Sequence, residues 1–202
     1  MDSVLDPNKA KAARRVIEVL EFFDEHNRHA TVMDIARRYR HSVGGVPQVA
    51  NPFAESMKWY RKAADQGYTP AMKAIGDIHA QALGVPQDLG EAERWYRRAA
   101  EKGDAEAMIA LGKALTPEYP RFAHRDEEQA ARWYRKAAEQ GNAVGMVYTA
   151  QAYQNGQGVA KDKEAALEWY RRAADNGNAV AAMWVGIAEN CARQGRPPAS
   201  CM

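Results

Sequence analysis

The sequence carries almost no net charge. Its 28 Lys and Arg are set against 26 Asp and Glu over 202 residues, a formal balance of +2. That leaves no bulk electrostatic case for nucleic acid or an anionic membrane as partner. Long apolar runs are also missing. The longest near the start, VIEVLEFF, is interrupted by Glu18 and Glu21, so neither a signal-peptide core nor a membrane span is read there. Cysteine is scarce. Cys191 and Cys201 both stand near the C-terminus, with no metal-ligand spacing and no disulfide framework expected. This pattern reads as a cytoplasmic chain of a reducing compartment, or a periplasmic one if a leader has been removed. Gly-x-Ser-x-Gly, phosphate-binding loops and His/Cys clusters do not occur, so no enzyme activity, cofactor or metal is expected. His26 and His29 offer two ligands, which do not make a zinc site.

One pattern dominates what is present. WYRKAADQGYTPAM begins at Trp59 and returns, varied, at Trp95, Trp133 and Trp169, with separations of 36, 38 and 36 residues. A period of this size marks a solenoid of stacked helical units. Eight residues after each Trp stands a glycine: Gly67, Gly103, Gly141 and Gly177. Each closes a helix-forming run in the left-handed conformation that glycine tolerates. Thr69, Asp104, Asn142 and Asn178 follow as N-cap types, with Pro70 suited to a first helical turn. So short a turn makes the two helices antiparallel.

On the first helix of each pair, a turn of 100° per residue groups Trp59, Trp95, Trp133 and Trp169 with Ala63, Ala99, Ala137 and Ala173 on one inward side. The basic pairs after each Trp-Tyr point outward and are balanced by Asp65, Glu101, Glu139 and Asp175. This inward assignment predicts that Trp133→Ala costs about 3–5 kcal/mol. Asp88, Asp126 and Asp162, seven residues before the later tryptophans, read as N-caps. The second helices carry core faces at Ala71, Met72, Ile75 and Gly76; Ala107, Met108, Leu111 and Gly112; Met146, Thr149, Ala150 and Tyr153; and Ala182, Val185 and Gly186. His79 takes the aromatic slot of Tyr153.

The stretch YQNGQGVAKDKEAALEWYRRAADNGNAVAA resembles the Sel-one-like repeat (SLR), a relative of the tetratricopeptide repeat. The shared features are the Gly156-Gln157-Gly158-Val159 loop, the Asp162 cap, the Trp-Tyr-x-x-Ala-Ala core and the closing Gly177. The resemblance implies an all-α fold: a right-handed α-solenoid of antiparallel helix pairs, about ten helices, used as an adaptor for other proteins. Residues 1–30 are read as an N-terminal cap, 31–194 as the solenoid of four Trp-Tyr units plus a final helix, and 195–202 as a flexible tail. Cysteine-rich relatives bind β-lactams, but this chain lacks their cysteines, which leaves a hydrolase of that type as the weakest alternative.

Residues 9–26 read as one amphipathic helix with Val16, Val19, Leu20 and Phe23 on one face, and Thr31 caps a second. Together they also resemble the first two helices of bacterial winged-helix regulators, which gives a transcription regulator with a degenerate helix-turn-helix as the alternative function. Glycines and prolines in RHSVGGVPQVANP occupy the place of a recognition helix, and residues 1–50 hold eight basic against seven acidic side chains, unlike a DNA footprint.

The copies disagree most on the outward face of the second helices. It runs Pro70, Lys73, Asp77; Glu106, Ile109, Lys113; Val144, Val147, Gln151; then Val180, Met183, Ile187. The face turns from charged to apolar, and exposed apolar patches mark interaction sites. The expected partner is another protein or peptide, bound by Val144, Val147, Gln151, Val180, Met183 and Ile187, with Trp184 at the edge.

Overall fold

A computed structural model describes residues 52–116 and 126–201, with side chains from residue 57 onward. The proposed N-terminal cap, the helix-turn-helix candidate, His26, His29 and most of the irregular loop before Asp126 lie outside the described residues.

Among the described residues eight α-helices follow one another: α1 Pro52–Asp65, α2 Thr69–Ala80, α3 Leu89–Glu101, α4 Ala105–Ala114, α5 Glu127–Glu139, α6 Ala143–Asn155, α7 Lys163–Asp175 and α8 Ala179–Arg193. A 3₁₀ helix, Pro198–Cys201, closes the order, and the described residues contain no strand. The expectation of about ten helices covered the whole chain. Each helix packs chiefly on its sequence neighbours, as short connections between antiparallel helices require.

The local chemistry repeats as the spacing predicts. Gly67, Gly103, Gly141 and Gly177 have φ of +88°, +95°, +86° and +82°, the left-handed region that ends a helix. Asp88, Asp126 and Asp162 cap α3, α5 and α7, their carboxylates accepting from Glu91 N (2.8 Å), Gln129 N (2.8 Å) and Ala165 N (2.9 Å). Asp104, Asn142 and Asn178 cap α4, α6 and α8. Thr69 does not cap α2. The N-cap there is Tyr68, with no side-chain bond, and Thr69-Pro70 form the first turn. Proline lacks the N–H a cap would satisfy, so little is lost.

The core runs along the array as interleaved alanines and tyrosines. Ala63, Ala99, Ala137 and Ala173 are fully buried, as expected. The tryptophans are not: Trp59, Trp95, Trp133 and Trp169 are half-buried, and Tyr60, Tyr96, Tyr134 and Tyr170 beside them take the interior. The inward reading of Trp is corrected to the rim of the core. Each Trp is roofed by the base three residues on: Lys62 at 4.7 Å, Arg98 at 5.1 Å, Lys136 at 4.3 Å and Arg172 at 4.2 Å from the ring centroid. The second member of each basic pair thus lies over an aromatic face, with the attraction that brings, instead of pointing away. Of the first members, Arg135 pairs with Glu139 (2.9 Å) as expected, whereas Arg97 turns back to Glu93 (2.7 Å) and reaches Gln129 on α5 (3.0 Å).

In two of the units glycine makes room for the inward tyrosine. A Cβ on Gly76 would stand 2.5 Å from Cε1 of Tyr96, and one on Gly112 equally close to Tyr134. Tyr96 and Tyr134 therefore bed directly on the backbone of the preceding second helix, and Tyr170 is fully buried although Ala150 takes the place of the glycine. The hydroxyls are satisfied locally: Tyr96 donates to Asp77 Oδ1 and Tyr170 to Gln154 Oε1, both at 2.9 Å.

The cysteines correct the sequence reading. Cys191 and Cys201 form a disulfide across 10 residues, with their Cα atoms 6.2 Å apart. The end of α8, the turn at Gly195 and the 3₁₀ helix bring them together, a closure invisible without the fold. Where a flexible tail was expected, residues 198–201 are tied against α8 and α7.

Candidate functional site

The expected partner-binding residues divide into two groups. Val144, Val147, Gln151, Val180 and Trp184 line one groove of about 700 Å³ between α6 and α8, with Tyr170 of α7 among its walls. Met183 and Ile187 are exposed, at 57% and 40%, but lie outside it. Val144 and Val180 are about half exposed, whereas Val147 is mostly buried, so it forms wall and not handle.

Several lining residues escaped the sequence reading: Tyr148, Gln154, Asn155, Gln157, Tyr170 and Asn178. One signal was available. Ala74 and Ala110 give way to Tyr148 and Trp184 at the same place in the next two units. These later aromatics stack on the repeat tyrosines, Tyr148 on Tyr134 at 4.8 Å and Trp184 on Tyr170 at 5.8 Å. The exchange of Ala for an aromatic raises the groove walls only in the C-terminal half.

The groove contains no ionisable side chain other than tyrosine. Apolar Val144, Val147, Val180 and Trp184 alternate with five amides. Gln154 is held by Tyr170, and Asn178 caps α8. Burial pushes the Tyr170 hydroxyl up to about 12, so it stays a donor at neutral pH. At the other end of the array the same face is charged: Lys73 pairs with Asp77 at 3.0 Å and lies 3.8 Å from Glu106. Burial, then the charge and hydrogen bond of Asp77, raise Tyr96 further still. The arrangement offers a surface for binding and no nucleophile–base pair for chemistry. No helix among the described residues is long and apolar enough to cross a membrane.

The model of the Sel1 repeat matches residues 33–68, 69–104, 105–142 and 143–178. The chain belongs to the Sel1-repeat family. Its fold is similar to that of a Sel1 repeat protein from Oxalobacter formigenes, with a TM-score of 0.64 and 30% identity over 78% of this chain and 61% of that one. It is also similar to c5321, a protective antigen present in uropathogenic Escherichia coli strains that displays an SLR fold. There the TM-score is 0.65 with 30% identity, over 84% of this chain and 35% of that one. The immunity protein Pa5087 of Pseudomonas aeruginosa shares the fold at 19% identity and a TM-score of 0.51, over 79% of this chain and 58% of that one. The chain thus spans less than two thirds of the length of these structures. No curated protein matches the sequence. The Sel1-repeat solenoid is a non-enzymatic scaffold fold, and its members are in general protein–protein interaction scaffolds.

Proposed function

We infer that this Sel1-repeat chain is an adaptor that holds a short, uncharged, mainly apolar segment of a partner protein in the groove between α6 and α8. The composition of that groove carries the reading: Val144, Val147, Val180 and Trp184 beside Gln151, with no ionised side chain among the lining residues. Apolar walls favour burial of apolar side chains, and amides suit the N–H and C=O groups of an extended main chain. A charged peptide would lose hydration there without gaining a partner. Met183 and Ile187 are a separate patch and not anchors for this segment.

Selection of random peptides on the full chain tests this. Selected peptides should be apolar and weakly charged. Their calorimetric affinity should fall about tenfold or more with Val144→Glu, which is about 1.4 kcal/mol, and should change little with salt. Enrichment of strongly charged peptides, or affinity untouched by Val144→Glu combined with Gln151→Ala, would contradict it. The Cys191–Cys201 bridge supports an oxidising compartment in place of the cytoplasm expected from scarce cysteine. Two titratable thiols in the unreduced native chain would remove that support.

A further inference from the structure

The fourth matched unit ends at residue 178, and α8 begins at Ala179. In the matched units a second-type helix is followed by the Trp-Tyr helix that lies upon it: α3 on α2, α5 on α4, α7 on α6. The helix α8 is therefore the first half of a fifth unit.

The covered column stands at the same positions each time, with Ala150 on α6 where α2 and α4 have glycine. Met72, Ile75 and Gly76 on α2 are buried, as are Met108, Leu111 and Gly112 on α4 and Met146, Thr149 and Ala150 on α6. The next Trp-Tyr helix reaches this column at both ends. Tyr96 and Tyr134 bed on Gly76 and Gly112, while Tyr170 packs in the unit where Ala150 takes that place, and the residues that end α5 and α7 meet the methionine, with Gln140 Nε2 at 3.9 Å from Met108 Sδ and Asn176 Nδ2 at 3.8 Å from Met146 Sδ.

On α8 the column is Ala182, Val185 and Gly186, which the sequence placed in the core. Ala182 and Gly186 are instead exposed and Val185 is half-buried. Nothing lies within 4 Å of the place where a Cβ on Gly186 would stand. The tyrosine hydroxyl finds its acceptor at two places: Tyr96 donates to Asp77, whose counterpart on α8 is Ile187, and Tyr170 donates to Gln154, whose counterpart is Asn190, also exposed. The tail does not cover this face. It packs where Ala188, Cys191 and Ala199 are buried, and the disulfide holds it there.

The face thus keeps the glycine notch, has Ala182 in place of the methionine and carries at Asn190 an amide where Gln154 accepts from Tyr170. We propose that it receives a Trp-Tyr-type helix from another polypeptide, an amphipathic helix that seats a tyrosine on Gly186 with its hydroxyl on Asn190. The alanines three and four residues after that tyrosine allow the close approach seen at Ala99 and Ala100, which are buried. This is continuity with the stacking interface the chain already makes three times, and it is independent of the groove.

The test titrates a peptide of residues 162–178, the α7 sequence, into the isotope-labelled full chain and follows backbone amide resonances. Saturable shifts at Ala182, Gly186 and Asn190 are expected. They should weaken about tenfold or more when the peptide carries Tyr170→Ala, and vanish in the Gly186→Leu protein. Position 186 is exposed and helical, so Gly186→Leu should keep the helical circular dichroism. Shifts confined to α6, shifts indifferent to Gly186→Leu, or no saturable shifts overturn the proposal. So does sedimentation that finds the chain already dimeric and made monomeric by Gly186→Leu, because the occupant is then a second copy's α8.

Discussion

Tyr134 is 5% exposed on the Gly112 notch, while Trp133 beside it stays half-open beneath Lys136. Adjacent residues on a helix differ by 100°, and the sequence gives both rings equal regularity, so periodicity alone does not say which one is inward. The deciding feature is the glycine on another helix. Tyr134→Ala should therefore cost about 3–5 kcal/mol. Trp133→Ala should cost about 1–2 kcal/mol, because much of its surface is already in water. Urea unfolding of the two variants checks this, and equal losses would return Trp to the core. The buried hydroxyls also set an alkaline limit. Tyr170 is raised to about 12 by burial, and Tyr96 is raised in the same direction by burial and Asp77. A tyrosine raised in the fold holds its proton more tightly there than in the unfolded chain. Its contribution is whole below the unfolded value near 10 and is lost as pH climbs from 10 towards 12. Absorbance at tyrosinate wavelengths should show a phase that ionises above 10, together with loss of helical circular dichroism. All tyrosines titrating near 10 with helicity intact would contradict the burial.

Helix ends were more legible than helix faces. The caps Asp88, Asp104, Asp126, Asn142, Asp162 and Asn178 and the four closing glycines act within one turn of chain, and each does what its residue type allows. Faces depend on what packs against them, which is why the expected core of α8 is open. Gly158 shows how a short motif can hide a distant contact. Its φ is +69°, and a Cβ there would run into the Glu127 carbonyl at the start of α5. The full Gly-x-Gly-Val loop between α6 and α7 is thus a spacer that lets two units close against backbone. Gly158→Ala should lower stability by about 2 kcal/mol or more, from left-handed strain and the clash together. Gly156→Ala, where the nearest atom is Lys161 Cβ at 3.4 Å, should cost less. Thermal melts of the pair test that order, and the reverse order would refute the packing role of Gly158.

Across the whole molecule, the repeat period sufficed for the architecture and even for the count of units, because units of nearly constant length each stack on their neighbours in the same way. The binding surface was legible only in outline. A drift from charged to apolar was visible in the column from Lys73 to Met183, but which of those residues share a groove depends on the inter-unit stacking of Tyr170 and Trp184. The disulfide was not legible at all, since a sequence separation of 10 says nothing of the Gly195 turn that joins its ends. What the scaffold holds is decided most directly by amide resonances of the full chain on titration with a peptide selected on it. The account predicts saturable shifts at Val144, Val147, Gln151, Val180 and Trp184, with the outer faces of the Trp-Tyr helices unmoved. Shifts centred on Arg97, Arg135 and their basic neighbours, with the groove silent, would contradict it.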